Sequence, residues 1–160
     1  MHTIAMDNSA KIVAFVGTRD PQRAKSFYRD TLGLNMVSED HFALVFDVNG
    51  TMLRVTPVPE MTPAKYTVLG WAVNDIKATV TQLQTAGVVF EHYGLPQDEL
   101  GIWTAPGGAK VAWFKDPDGN ILSVSQHYAT AQKQLPIFQE CVVGRTLWSA
   151  RDPLVPLRQV

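Results

Sequence analysis

Apolar and polar positions follow the same order twice along this chain. Residues 12–16 form a short apolar run, and from Asp20 the period changes: Ala24, Phe27, Tyr28 and Leu32 recur three and four apart, on one stripe of a helix. Asp20 is a good N-cap, and Pro21 stands at the first helical position, where its missing N–H is not needed. Gly33 supplies the left-handed stop. The second round opens with an apolar run at 68–73; Asp75 caps a helix with Ile76, Val80 and Leu83 on one face, and Gly87 ends it. Cap and stop are 13 residues apart in the first round (20 to 33) and 12 in the second (75 to 87). Strand-like runs follow each helix, at 42–48 and 51–57 in the first round and at 88–93, 109–115 and 121–126 in the second.

This pattern predicts an α+β chain of two tandem βαβββ units, 11–57 and 66–127. They are joined by Pro57-Val58-Pro59-Glu60-Met61-Thr62-Pro63, whose prolines remove ladder donors. A sheet covered by a helix on one face must find cover for the other or curl around something. The expected architecture is therefore a half-barrel of mixed sheets enclosing a cleft. Residues 1–10 read as a lead and 128–160 as a tail, with a short helix near 129–135 and exposed Leu147 and Trp148.

Composition narrows the function classes. With 160 residues, 46% hydrophobic, 18% charged and a net charge of −1, the chain has an ordinary globular composition. Its Lys and Arg are scattered among acids, without the basic stripe a nucleic acid needs. No apolar run approaches the roughly 20 residues of a membrane span, and the single Cys141 cannot form an intrachain disulfide. The start Met1-His2-Thr3-Ile4-Ala5-Met6-Asp7 lacks a positive region and an apolar run, so the expected compartment is the cytoplasm.

The stretch Trp113-Phe114-Lys115-Asp116-Pro117-Asp118-Gly119-Asn120-Ile121-Leu122-Ser123-Val124 reads as two strands around a tight turn. It resembles the last hairpin of the vicinal oxygen chelate superfamily, which holds the glyoxalases, bleomycin-resistance proteins and extradiol dioxygenases. Phe27-Tyr28-Arg29-Asp30-Thr31-Leu32-Gly33-Leu34 is similar to that family's first helix end, and the likeness extends over residues 11–127. The resemblance implies a metal site with one His, Gln or Glu on the first and last cavity strand of each unit. Residue by residue, those corners fall on Val13, Arg54, Leu69 and Ser123. Valine, leucine and a guanidinium cannot ligate a metal. A register shifted by one residue brings Ile12 or Ala14, Leu53 or Val55, Gly70, and Leu122 or Val124, none of them a ligand either. No metal and no cofactor are therefore expected at these corners, and the likeness to the bleomycin-resistance branch implies a homodimer.

Arg54 is the leading candidate for ligand binding. A guanidinium at a cleft wall can clamp a carboxylate, phosphate or enolate-like oxygen, unless Asp47 on the preceding strand takes it as an internal ion pair. Trp71, Trp103 and Trp113 together are candidate aromatic walls, although each taken singly suits a core better than a pocket. His92, Ser123 and His127 complete the candidate set. A relocated metal would draw on His41, His92 or His127, and the glycine-bounded loop 94–101 is either a lid or only a connection. Asp116 and Asp118 read as turn-forming side chains, and no residue is assigned a catalytic role. The first reading is a metal-free protein binding a small anionic or aromatic molecule in its cleft. The second is a lyase, isomerase or dioxygenase working through a displaced metal or metal-free acid–base chemistry. The third is a regulatory or interaction module whose cleft is filled by its own side chains.

Overall fold

A computed structural model describes residues 6, 7 and 9–127; the tail with its expected helix, Cys141, Leu147 and Trp148 lies outside the described residues. Strand β1 (Val13–Thr18) leads into α1 (Pro21–Lys25), where the Asp20 carboxylate accepts from the backbone N–H groups of Gln22 and Arg23, both at 3.1 Å. The helix then widens into a π-helical segment, Ser26–Thr31, closed by the Leu32 N–H donating to the Phe27 carbonyl at 2.9 Å. Gly33 follows at a φ of 69°. Strands β2 (Asn35–Glu39), β3 (Leu44–Val48) and β4 (Thr51–Pro57) finish the first unit. Asn49 and Gly50 both sit at positive φ, 51° and 84°, as a two-residue turn matching the twist of its strands requires.

The second unit repeats the plan. Strand β5 (Thr67–Ala72) precedes α2 (Ile76–Thr85), capped by the Asp75 carboxylate accepting from the Ala78 N–H at 3.0 Å. Strands β6 (Phe90–Glu91), β7 (Trp103–Thr104), β8 (Lys110–Lys115) and β9 (Ile121–Gln126) follow. The first sheet has the order β1-β4-β3-β2 and the second β5-β9-β8-β6, with β7 also on β8. In each, the strand before the helix pairs in parallel with the unit's last strand and the remaining pairs are antiparallel. The architecture is thus α+β with two mixed sheets that do not close into a barrel.

Two elements were absent from the hydrophobic pattern. β2 is an edge strand whose residues are mostly exposed, so Asn35, Ser38 and Glu39 give it no apolar alternation. β7 is only two residues long and lies within what reads as a loop.

One hydrophobic core joins the two units. Ala24 and Tyr28 from the first helical segment are fully buried among Phe46, Leu53 and Val55 of the first sheet, and the same core continues into Phe90, Ala112, Phe114 and Leu122 of the second. Phe27 makes the crossing, its ring 6.5 Å from that of Phe114.

The two motifs that carry the family likeness meet in this core. The Tyr28 hydroxyl donates to Asp116 at 2.8 Å, and the same carboxylate accepts from Asn120 Nδ2 at 2.7 Å and from the N–H groups of Asp118 and Asn120, both at 2.9 Å. Asn120 also donates to the Gly17 carbonyl at 3.0 Å, and Asp118 accepts from the Thr18 hydroxyl at 2.5 Å and from the Arg19 N–H at 2.9 Å. Asp116 and Asp118 do shape their turn, and they also fasten it to β1 and the first helical segment 88 to 103 residues away.

Burial first, then the charges of Asp116 and Asp118, raises the Tyr28 phenol pKa far above its ordinary value. An unfolded tyrosine loses its proton near pH 10, whereas the folded phenol keeps it. Above that pH the native state binds more protons, so stability, complete below about pH 10, falls as pH rises. Urea titrations between about pH 8 and 11 are expected to show this alkaline loss, at most ~1.4 kcal/mol per pH unit from this group. The loss should flatten in Tyr28→Phe; an equal slope in that variant would contradict the assignment.

Candidate ligand-binding site

Alternation along the strands separates core-facing from outward-facing residues. On β4, Leu53 and Val55 are buried, so Met52 and Arg54 point away from the helices. Across the first sheet Arg54 lies opposite Phe15 of β1 and Val45 of β3, and Met52 opposite Val13 and Asp47. The outer face of this sheet is thus an apolar surface with one half-buried guanidinium within it. Phe15 is 64% exposed, Met52 44% and Val13 41%.

Arg54 forms no ion pair among the described residues. Asp47, the expected internal partner, instead accepts from the Gly50 N–H at 3.0 Å and holds the turn. Asp40 feels the guanidinium, but its carboxyl is held below the usual range mainly by the N–H groups of Phe42 and Ala43, at 2.7 and 2.9 Å. Phe15, absent from the expected set, shares the face of Val13 by simple alternation, a signal available in the sequence.

The second sheet has a comparable outer face built around Trp113. Its indole N–H donates to the Thr67 hydroxyl at 3.1 Å, and its ring lies 6.0 Å from Trp103 and 5.9 Å from Tyr93. Glu91 and Ser123 are its cross-strand neighbours, and Lys115 pairs with Glu91 at 3.2 Å beside it. Tyr93 lies outside the expected set, though it stands two residues beyond Glu91 and so on the same side of the chain.

Trp71 departs from the expected arrangement of three tryptophans along one cleft. It packs with the core on the helix side, its ring stacked 6.4 Å from Phe114. Strand β5 carries an irregularity between Thr67 and Leu69, after which Leu69 pairs with Leu122 and Gly70 with Ser123. Leu69 therefore joins the core with Trp71, and Gly70 takes the outward corner. A one-residue bulge of this kind inverts every later side chain, and nothing in the local composition announces it.

The Gly70 corner is closed as well as bare. A Cβ at Gly70 would stand 2.6 Å from Ser123 Oγ, so no larger side chain fits while Ser123 keeps its position. Gly70→Ala is expected to cost about 1–3 kcal/mol, and Ser123→Ala in the same chain should restore most of it. Chemical denaturation of the single and double variants checks the pair; equal stability of wild type and Gly70→Ala would contradict it.

His92 turns away from Trp113, its ring 3.6 Å from where a Cβ of Gly101 would be. His127 follows β9 directly and is exposed. The loop 94–101 is fastened in place: Gln97 donates to the carbonyls of Glu91 and Gly101 at 3.0 and 2.7 Å and accepts from the Tyr93 N–H, while Asp98 accepts from the N–H groups of Leu100 and Ile102. Those bonds suit a fixed connection at the edge of the sheet.

The outward corners are thus Val13, Arg54, Gly70 and Ser123, a set with neither imidazole nor carboxylate, and it does not fit a divalent metal. Among the described residues no group of three or more His, Cys, Asp and Glu is placed to hold one elsewhere.

The model of the Glyoxalase/Bleomycin resistance protein/Dioxygenase superfamily matches residues 10–124. Among solved structures, the chain is similar to a glyoxalase/bleomycin resistance protein from Catenulispora acidiphila, with a TM-score of 0.59, 21% identity and coverage of 75% of this chain and 100% of that one. It is also similar to a lactoylglutathione lyase from Agrobacterium tumefaciens (0.58, 21%, 75% and 95%). A third is a glyoxalase/bleomycin resistance protein/dioxygenase from Alicyclobacillus acidocaldarius (0.57, 18%, 76% and 94%). At these identities the likeness concerns the fold. No curated protein matches.

Proposed function

The chain belongs to the Glyoxalase/Bleomycin resistance protein/Dioxygenase superfamily, and from that premise we propose that it captures a small anionic or aromatic molecule in the cytoplasm without a metal ion. The observation that carries this reading is Arg54: a half-buried guanidinium set among Phe15, Val45 and Met52, with no ion pair among the described residues. Such a group offers a planar fork to an acid, and its apolar neighbours weaken competition from water. The Tyr93, Trp113 and Trp103 rings, with Ser123 beside them, offer flat apolar contact and hydroxyl groups to a ring system. His92 lies beside Gly101, away from that aromatic row, and neither it nor His127 is given a role.

The proposed assembly is a homodimer. Its support is the apolar outer face of the first sheet, which continues into exposed Ile12; a second copy would roof this face and enclose the ligand beside Arg54 between the two chains. Sedimentation is expected to find a dimer for the full chain and a shift toward monomer for Phe15→Glu; a monomeric wild type would contradict the assembly.

A calorimetric titration of chelator-treated protein with simple aromatic carboxylates, benzoate and phenylacetate among them, tests the capture role. Saturable binding that is indifferent to chelator is expected. Binding that appears only after a divalent metal is added back would favour metal chemistry and overturn the reading.

A further inference from the structure

On the helix side of the second sheet lies a cavity of about 170 Å³, separate from both outer faces. Trp71 and Phe114, stacked with 20° between their planes, form one wall, and Leu32, Leu34, Val73, Leu83 and Val124 form the rest of the apolar lining. Its polar member Thr79 donates its hydroxyl proton to the Asp75 carbonyl at 2.8 Å, so that proton is already committed. The lining is otherwise hydrocarbon and aromatic ring. We propose that this cavity is a binding site for a single-ring apolar molecule, a monocyclic arene or a ligand portion of that size and chemistry.

Two independent observations carry the assignment. The first is size and lining. A closed cavity near 150 Å³ walled by aliphatic and aromatic side chains takes up benzene; this pocket has the same scale and a similar lining, and it is partly open to solvent. The second is the π-helical segment Ser26–Thr31. Its wide turn is closed by the Leu32 N–H reaching back five residues to Phe27, and the Leu34 N–H bonds the Tyr28 carbonyl at 3.0 Å. Leu32 and Leu34, the two residues set down by that turn, are cavity walls. Single wide turns of this kind cost helical regularity and recur at functional sites. Here the wide turn leads directly into two leucines of the lining.

Trp71 also belongs to the lining of a smaller cavity of about 140 Å³, with Ala14, Thr51, Leu53, Leu69 and Gly70.

Fluorobenzene, followed by fluorine NMR on the full chain, is a suitable probe. Saturable binding with a dissociation constant of about 1 mM or tighter is expected. Leu83→Trp and Leu34→Trp fill the cavity from opposite rims, and each should weaken binding at least about tenfold while keeping a cooperative unfolding transition. Absence of saturable binding by the wild type, or undiminished binding in both folded variants, overturns the proposal. If neither variant folds, crystals of the wild type soaked in bromobenzene decide it. A bromine anomalous peak between Trp71 and Leu83 supports the site, and a peak elsewhere or none refutes it.

Discussion

Arg54→Ala is expected to abolish most of the capture of an acidic ligand while leaving the fold intact. Truncating one partner of a desolvated charge pair costs about 2–5 kcal/mol, and the half-buried setting of Arg54 puts the expectation toward the lower half of that span, roughly a 30-fold to 300-fold loss in affinity. Stability should change little, because Arg54 holds no ion pair among the described residues that the substitution would break. Arg54→Lys separates charge from geometry: if the planar fork matters, lysine recovers only part of the affinity. Calorimetry with the tightest-binding aromatic carboxylate checks both variants. Unchanged affinity in Arg54→Ala would remove the anchor from the account.

Asp116→Ala carries the largest expected effect on stability. The substitution leaves the buried Tyr28 hydroxyl, the Asn120 amide and the N–H groups of Asp118 and Asn120 without their acceptor. An unsatisfied buried donor costs about 1–3 kcal/mol, and the four overlap in one network, so a total near 3–5 kcal/mol is expected. That is a large share of the 5–15 kcal/mol typical of a domain. Because the network ties the last hairpin to β1 and the first helical segment, both units should lose cooperativity together. Denaturant unfolding followed by tryptophan fluorescence and far-ultraviolet dichroism would show it; a loss below about 1 kcal/mol would contradict the role given to this carboxylate.

The repeat was legible in the sequence because its punctuation is local. Asp20 and Asp75 cap their helices through bonds to N–H groups two or three residues on, and Gly33 and Gly87 take the positive φ that ends them. The last hairpin was legible for the same reason. What was hidden depends on distant partners. β2 carries polar residues because it lies at a sheet edge, and the bulge in β5 exists only in relation to β9. That bulge moved Leu69 and Trp71 to the core side and set Gly70 against Ser123, although alternation alone groups Trp71 with the cleft.

The candidate site was legible in part. Arg54 and Val13 fall on the outer face of the first sheet, as the family pattern implies, and Trp103 and Trp113 share the outer face of the second. Phe15 and Tyr93 could have been added by counting two residues along a strand. The independence of Arg54 from Asp47 could not, since it follows from Asp47 turning back onto Gly50, a choice made by the hairpin geometry.

The most direct measurement is a crystal structure of the chain with its tightest-binding aromatic carboxylate. The account predicts the carboxylate oxygens within hydrogen-bonding distance of the Arg54 guanidinium, the ring against Phe15 or Met52, and no metal density among Val13, Arg54, Gly70 and Ser123. A carboxylate held by a metal ion at those corners, or seated away from Arg54, would contradict it.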